Sequence, residues 1–305
     1  MSYLRFRKLL QSDNEGTFWP GYIEIPEDIK PKSEKIQELE IKENSTKNPR
    51  IYTGLALLVV VSLFFLNKNS ALIFLVVVAL IATKEWFDLF EYGVVIPFPL
   101  LLYASIAPLL VVYFYGFSNF YVPYFVFPLG VIIYTGTFVS YGIYEKFGSS
   151  YLFLIWFGTG IASIGYILSN YGNLITYSIL ISVSISDIAA YEIGRRYGKR
   201  KLIQKISPNK TYEGFFAGLL FGSLILSLVL NRFLDISFGL SFLISILVIS
   251  FGTIGDLFES RIKRSLEVKD SSTLLPGHGG VLDRVDSQLF SFPMLVLLLH
   301  FLDLI

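Results

Sequence analysis

A charged segment near the C-terminus interrupts sequence that is otherwise almost entirely apolar. It runs from Ser260 to Ser287 and reads SRIKRSLEVKDSSTLLPGHGGVLDRVDS. Ionisable side chains beside apolar segments of membrane-spanning length are costly to desolvate, so their presence indicates a hydrated, functional cavity. Acids, bases and glycines gathered around one histidine are typical of chemistry on phosphate and metal ions.

Acids and bases share one face of a predicted helix at the start of this segment. The spacing i, i+4, i+7 and i+8 keeps side chains on one side of an α-helix. The residues with this spacing are Asp256, Ser260, Lys263 and Arg264, and Glu259 lies beside them. We expect Lys263 and Arg264 to be catalytic and Ser260 to bind substrate.

A glycine-rich turn follows. Residues 275–280 read LPGHGG, and Gly279 and Gly280 let backbone N–H groups approach a phosphate closely. We expect His278 to be catalytic, either as a hydrogen-bond donor to phosphate or as a proton carrier, rather than to be a metal ligand. Further predicted substrate-binding residues flank the turn: Lys269, Asp270, Arg284 and Asp286.

Phosphate chemistry at this segment calls for a cation. Attack of one phosphate on another brings like charges together, so oxygen-ligated divalent cations must offset part of the charge. Asp256 and Asp283 lie on different predicted helices, and we predict that they clamp one metal ion and are catalytic. Magnesium fits best, because the chain has two histidines and no cysteine, which disfavours zinc. A second cation, divalent or monovalent, stays open.

A second charged segment extends from Ser186 to Gly214. Asp187, Tyr191 and Arg195 recur at i, i+4 and i+8, so a continuous helix carries them on one face. We expect this face to point inward and to bind substrate. The basic residues that follow form a positive funnel suited to a polyphosphate or to anionic headgroups; they are Lys199, Arg200, Lys201, Lys205 and Lys210.

The end of this second segment has the pattern of a helix start. Ser207 is the predicted N-cap and Pro208 the first helical residue. The free backbone N–H groups of such a start would face an anion beside Lys210 and Thr211. We therefore predict that Ser207, Lys210 and Thr211 bind substrate.

Composition sets the class of protein. The chain has 305 residues, of which 53% are hydrophobic and 16% charged, and its mean hydropathy is +0.61. Several apolar runs approach the twenty residues that cross a bilayer core. We predict an all-α, polytopic helical membrane protein with about nine transmembrane helices, at 51–66, 70–83, 97–115, 121–141, 151–168, 174–190, 212–231, 236–255 and 288–305.

The distribution of Lys and Arg predicts the orientation of these helices. Nearly all of the 25 basic residues fall before residue 51 or in alternate loops. Because cytosolic loops carry the excess of Lys and Arg, the N-terminus and both charged segments are predicted to be cytosolic and Ile305 external. No cleavable signal peptide is evident, which favours a prokaryotic plasma membrane.

Residues 1–50 are predicted to be a separate cytosolic extension. They contain several prolines and alternating lysine and glutamate, without a long apolar run. The start MSYLRFRKLLQ is typical of an amphipathic helix on anionic lipid, and the rest of a solvated helix or disordered tail. The second predicted domain, 51–305, contains the membrane helices and the chemistry.

The charged residues together resemble the signature of phosphatidate cytidylyltransferases, also called CDP-diacylglycerol synthases. The matching motif is Ser260-x-Ile262-Lys263-Arg264, then Lys269-Asp270, then Pro276-x-His278-Gly279-Gly280-Val281-x-Asp283-Arg284-Val285-Asp286. Other segments agree, among them Lys84-Glu85-Trp86 and Ser207-Pro208-x-Lys210-Thr211-x-Glu213-Gly214. Residues 186–189, Ser-Asp-Ile-Ala, depart from the Asn-Asp-Thr-Gly common in bacterial members but keep Asp187.

The resemblance implies a transmembrane cytidylyltransferase that converts CTP and phosphatidate to CDP-diacylglycerol and pyrophosphate for phospholipid biosynthesis. It also associates the carboxylates at Asp256 and Asp283 with the metal centre. CTP, the lipid phosphate and the bilayer are the expected partners, a homodimer is plausible, and no nucleic acid is expected.

Two alternatives remain beside this interpretation. The same motif suits an archaeal-type ether lipid phosphate as acceptor, or a CTP-dependent kinase acting on a polyprenol. A protein of another class, an ion-coupled transporter, would use Asp187, Asp256 and Asp283 to carry protons or cations.

Overall fold

The chain is built almost entirely of helices. A computed structural model describes residues 49–90, 98–137, 143–203, 207–266 and 268–304, so the predicted extension lies almost wholly outside the described residues. A π-helical turn, Leu154–Gly158, joins α5 to α6. The α-helices are α1 Pro49–Phe64, α2 Lys68–Leu89, α3 Phe98–Tyr115, α4 Val122–Thr137, α5 Ile143–Phe153, α6 Thr159–Tyr171, α7 Asn173–Tyr197, α8 Tyr212–Leu234, α9 Phe238–Ser265, α10 Leu282–Val285 and α11 Gln288–Phe301.

Six helical segments within the described ranges are long and apolar enough to cross a membrane. They are α2, α3, Gly148–Tyr171, α7, α8 and α9. Shorter apolar helices lie at Tyr52–Phe64 and Val122–Val131, and α11 has 14 residues. The prediction of an all-α, multi-pass membrane protein is confirmed, whereas the number of nine spans is not.

Three helices continue well past the ends predicted for their apolar runs. The expected ends were Thr83, Ala190 and Gly255, whereas α2, α7 and α9 end at Leu89, Tyr197 and Ser265. Charged residues on these extensions are therefore part of rigid helices rather than loops. The stripe that begins at Asp256 lies on one continuous helix, as its spacing predicts.

Aromatic packing fixes the end of α2. The Trp86 ring stacks on Phe153 with centroids 5.1 Å apart and lies 5.5 Å from the Trp156 ring. Phe153 in turn stacks on Phe157 at 4.9 Å. Buried aromatic rings contribute large apolar contact areas, so this cluster holds the last turns of α2 against the π-helical turn.

A chain of neighbouring helices surrounds the charged residues. α7 packs along α8, α8 along α9, and α9 along α11, while α6 joins α11 to α3. The buried residues include Leu289 and Phe292 of α11. The second charged segment and the C-terminal one, distant in sequence, thus meet at the ends of α7, α9 and α11.

The loop between α7 and α8 is a β-hairpin, and here one prediction is wrong. Strands β1 (Lys201–Ile203) and β2 (Ser207–Thr211) pair antiparallel, so Ser207 and Pro208 belong to a strand and not to a helix start. The N-cap is Thr211, whose hydroxyl accepts a hydrogen bond from Gly214 N at 3.2 Å. Pairing with β1 outweighs the local Ser-Pro signal.

Candidate active site

Two sets of carboxylates lie where these elements meet. Asp187 of α7, Asp256 of α9 and Asp286, between α10 and α11, interact electrostatically and are called here the interhelical cluster. Glu85 of α2 and Asp283 of α10 hold the segment around residues 271–282 and are called the loop-binding pair. The two sets differ in what their oxygens contact.

Asp256 pairs with a lysine from the hairpin. Lys210 Nζ lies 2.5 Å from Asp256 Oδ2, and the two side chains are 25% and 29% exposed. Ser260, one helical turn along α9, donates to Asp256 Oδ1 at 3.3 Å. The hairpin thereby places the Lys210 ammonium next to the charged face of α9. The Lys210 and Asp256 side chains both remain accessible to a ligand.

Ser287 connects the other two members of the interhelical cluster. Its hydroxyl donates to Asp187 Oδ1 at 3.3 Å, and its backbone N–H donates to Asp286 Oδ1 at 2.7 Å. Asp187 is half-buried, and Asp286 and Ser287 are buried. The head of α11 is therefore fixed next to α7.

The interhelical cluster carries an unfavourable concentration of negative charge. Burial, with the Asp256 carboxylate nearby, raises the pKa of Asp286 to about 7. Lys210 pairs with Asp256 and attracts Asp187, and Lys263 attracts Asp286, so the lysines offset only part of this charge. A bound cation would relieve this repulsion, because it favours the charged form of the acids.

Both carboxylate oxygens of Asp283 contact donor groups of the protein. Its Oδ1 is paired with Lys263 Nζ. Its Oδ2 accepts hydrogen bonds from Ser271 N at 2.8 Å, Ser271 Oγ at 2.9 Å and Gly280 N at 2.7 Å. Lys263 also donates to Glu259 at 3.1 Å, so it lies buried between two acids and not in an open cavity.

The glycines of the turn make room for these acids. At Gly279, where φ is +80°, an added Cβ would lie 2.5 Å from Asp283 Oδ2. At Gly280 it would lie 2.6 Å from Glu85 Oε2. A side chain at either position would displace one of these carboxylates, so the contacts of Asp283 and Glu85 favour the glycines that the sequence analysis assigns to phosphate binding.

Helix α1 contacts the histidine turn. Thr53 Oγ1 donates to the Pro276 carbonyl oxygen at 3.2 Å. An added Cβ at Gly54 would lie 3.6 Å from His278 Nε2. The imidazole therefore lies against the first turns of α1, and its role toward phosphate stays a prediction.

The prediction that the α7 stripe points inward is correct only for Asp187. Tyr191 is 56% exposed, and the Arg195 guanidinium lies 5.7 Å from its ring centroid and 3.5 Å from Glu192. Successive i+4 steps turn about 40° around a helix, so the stripe has rotated by about 80° at Arg195. Tyr191 and Arg195 thus leave the buried face.

The remaining predicted residues lie around the two sets. The Arg264 guanidinium donates to the Val268 carbonyl oxygen at 3.0 Å beyond the end of α9, and Ser207 is half-buried in β2. The exposed residues are Arg264, Lys269, Asp270 and Arg284. These four side chains are therefore accessible at the surface of the protein.

Comparison with known proteins agrees with this arrangement. The sequence model of the cytidylyltransferase family matches residues 48–302. The chain belongs to the cytidylyltransferase family. That match includes every member of the interhelical cluster and of the loop-binding pair.

Curated relatives carry a more specific name. A phosphatidate cytidylyltransferase of Bacillus subtilis is 41% identical over 133 residues, which are 43% of this chain and 49% of that protein. Proteins of the same name from Staphylococcus epidermidis and Staphylococcus aureus are 44% identical over 126 residues, 41% of this chain and 48% of each relative. The matched stretch thus spans about half the length of these relatives.

The metal predicted for this family member can be tested against the donor set. Within the described part of the chain, no three Asp, Glu or His side chains form a ready-made metal site. Magnesium is usually held by one or two carboxylates together with substrate phosphates, and the accessible Asp256 carboxylate fits that pattern. Asp283 fits only if it gives up Lys263, so a metal shared by Asp256 and Asp283 stays a prediction.

Sequence reasoning missed Glu85 as a functional candidate. The predicted span ends at Thr83, which places Glu85, a residue of the family motif, in a loop. In the structure it is buried in a membrane-length helix, and an acid in that position is itself a signal of a built site. Glu259 and Ser271 were likewise not singled out as site residues.

Proposed function

We propose that this member of the cytidylyltransferase family is a phosphatidate cytidylyltransferase, which transfers CMP from CTP to phosphatidate. One observation carries the proposal. The hairpin, α9 and the head of α11 bring Lys210, Asp256 and Asp286 together. Two turns further along α9, Lys263 pairs with Asp283, which binds Gly280 of the glycine-histidine turn. The names of the relatives, which match over about half their length, support the same reaction.

The proposed reaction is an in-line displacement. An oxygen of the lipid phosphate forms a bond to the α-phosphorus of CTP, the bond from that phosphorus to the bridging oxygen breaks, and pyrophosphate leaves. A phosphate monoester is largely ionised near neutral pH, because its second pKa is about 6. The reaction therefore needs no strong general base and no covalent enzyme intermediate.

The side chains of the site would chiefly bind and orient the two phosphates. Lys210 and the exposed Arg264 and Arg284 would bind phosphate oxygens and offset charge that develops on the leaving group. Lys263 would act indirectly, since it is enclosed by Glu259 and Asp283. His278 would donate a hydrogen bond to phosphate.

Magnesium is the proposed cofactor. When bound, it would neutralise phosphate charge. Asp256 would hold it, and Asp283 is retained as the second proposed ligand. A second cation near the interhelical cluster is consistent with the excess of carboxylates there.

The membrane context follows from the basic residues. We propose that the hairpin and the 271–282 segment face the cytosol, from which CTP arrives, and that the lipid enters sideways from the plasma membrane. The exposed apolar side chains of α8 and α9, such as Phe216 and Leu243, are consistent with a lipid environment. A homodimer and the absence of a nucleic-acid partner stay predictions.

The test is incorporation of labelled CTP into lipid by the purified protein with Mg²⁺. Diacyl phosphatidate and an ether lipid phosphate are offered separately, and Asp256→Asn is compared with Asp235→Asn. Asp235 is a left-handed helix C-cap, which asparagine tolerates, so this control makes the same acid-to-amide change away from the site. Labelled CDP-diacylglycerol that is lost only in Asp256→Asn is expected.

Other outcomes of this experiment would change the proposed substrate or contradict the proposed function. Labelled product from the ether lipid alone would make that lipid the substrate. A folded protein that forms no CDP-lipid from either acceptor contradicts the proposal. Proton flux into vesicles without CTP would then favour the transporter.

A further inference from the structure

Glu85 makes an unusual set of contacts for an acid in a membrane-length helix. It is 4% exposed and lies just after a stretch of α2 that is almost wholly apolar. Among the described residues, no Lys or Arg side chain is paired with it. A buried carboxylate in such a place is very unfavourable unless hydrogen-bond donors compensate it.

The donors all come from one distant segment. Oε1 accepts from Ser272 Oγ at 2.7 Å and from Val281 N at 2.8 Å. Oε2 accepts from Ser271 Oγ at 3.1 Å and from Leu282 N at 2.8 Å. One side chain therefore contacts both ends of the segment 271–282.

The part of the segment between these contacts folds back on itself. Leu275 N donates to the Gly279 carbonyl oxygen at 2.9 Å, and His278 N donates to the Leu275 carbonyl oxygen at 2.8 Å. These bonds close a small turn, but they do not tie it to the helices. Glu85, Asp283 and α1 each contribute contacts that attach the segment to the helices.

The two members of the loop-binding pair also share a donor. Ser271 Oγ lies 3.1 Å from Glu85 Oε2 and 2.9 Å from Asp283 Oδ2. Because α2 is held by the aromatic cluster around Trp86, Glu85 transfers that rigidity to the segment. The geometry points to Glu85 as a positioning residue that fixes the glycine-histidine turn for phosphate binding, an inference that rests on the proposed function.

The test compares acid-to-amide changes one turn apart on α2. Glu85→Gln puts an NH₂ group where an oxygen accepted two donors, whereas Asp88→Asn, on a partly exposed residue, serves as the matched control. Residues that orient metal ligands through hydrogen bonds change affinity or activity by about 10- to 100-fold when mutated, and we take this range as the scale for a residue that orients a phosphate-binding turn. We expect the KM for CTP to rise by about that factor in Glu85→Gln and to stay unchanged in Asp88→Asn.

A merely structural role gives a different kinetic result. It would reduce the folded fraction and so the apparent kcat, while the remaining folded enzyme kept its KM. A lower kcat with unchanged KM in Glu85→Gln therefore overturns the inference. Ser272→Ala removes a single donor and should raise the KM for CTP in the same direction by a smaller factor, which keeps the test available if Glu85→Gln does not fold.

Amide hydrogen exchange supplies a readout without substrate. Exchange at Val281 and Leu282 should be faster in Glu85→Gln than in the wild type and Asp88→Asn, and unchanged exchange would contradict the inference. If the wild type makes no CDP-lipid while this difference persists, the proposed function has failed and the positioning role has not.

Discussion

The interhelical cluster and the loop-binding pair contain the same functional group in opposite circumstances. In the loop-binding pair, every oxygen of Glu85 and Asp283 contacts a donor of the protein itself. In the interhelical cluster, Lys210 pairs with Asp256 alone, each of the three carboxyl groups accepts from a serine, and Asp256 remains partly exposed. The first set is complete without a ligand, and the second is not.

This difference indicates that the same sequence motif contains acids with a structural role and acids with a ligand-binding role. A carboxylate whose donors are all internal stabilises the protein that surrounds it, whereas an acid with accessible oxygens and acidic neighbours gains from a cation. Asp256 and Asp283 look equivalent in the sequence, but they belong to different sets. Substitution of each one tests whether the distinction is real.

Asp283→Asn should have the largest effect, because it disturbs both folding and activity. The amide would face donors at Ser271 or Gly280, and Lys263 would lose one of its two acids. Breaking a buried ion pair costs about 3–5 kcal/mol. A lower unfolding temperature in detergent, together with loss of CDP-lipid formation, is expected, and an unchanged unfolding temperature would show that Asp283 is not structural.

Asp256→Asn should abolish activity without this loss of stability. Its ion pair with Lys210 is partly exposed, and such pairs contribute at most about 1 kcal/mol. We expect turnover to fall by at least about 100-fold, as for removal of a group that stabilises transition-state charge. Activity assays and thermal unfolding on the same preparation check this, and retained turnover would remove Asp256 from the metal site.

Lys210→Met should produce an intermediate loss. The change keeps most of the unbranched side chain and removes the positive charge that Lys210 places beside Asp256. A charge-assisted contact to phosphate contributes about 1.5–3 kcal/mol, or roughly 10- to 150-fold in kcat/KM. Steady-state kinetics at varied CTP tests this, and an unchanged kcat/KM would mean that Lys210 only balances the acids.

Lys201→Ala should have the smallest effect. Lys201 lies on β1 of the same hairpin and is exposed, and its partner in the strand pairing is Thr211. It serves as the control for Lys210, since it removes one basic residue from the same structural element. Activity within about twofold of wild type is expected for an exposed charge screened by salt. A loss as large as that of Lys210→Met would place the whole funnel in the active site.

Much of this arrangement follows from sequence patterns. The i, i+4 and i+7 spacing places Asp256, Ser260 and Lys263 on one helix, because helical periodicity depends on the local chain alone. Pairing between distant segments has no such pattern. The Lys210–Asp256 pair depends on a hairpin whose strands were not predicted. The sequence analysis predicts the N-cap at Ser207, because the local Ser-Pro pattern carries no information about the pairing of β1 with β2.

Glu85 shows a second kind of limit. Its burial depends on how far α2 continues beyond its apolar run, and the Trp86 cluster that extends it comes from α5 and the π-helical turn. The span predicted from hydropathy ends at Thr83, which places Glu85 in a loop. Its four donors lie nearly two hundred residues away in sequence, and single-sequence patterns do not reveal such contacts.

The contact between α1 and the histidine turn has a practical consequence for handling the protein. Thr53 and Gly54 lie in the first two turns of α1: Thr53 donates to the Pro276 carbonyl oxygen, and a Cβ added at Gly54 would contact the His278 imidazole. A bulky fusion partner attached immediately ahead of Pro49 would be only about one helical turn from the turn that we assign to phosphate binding. Purification tags and fluorescent labels are therefore better attached after α11, where Leu302, Asp303 and Leu304 are exposed.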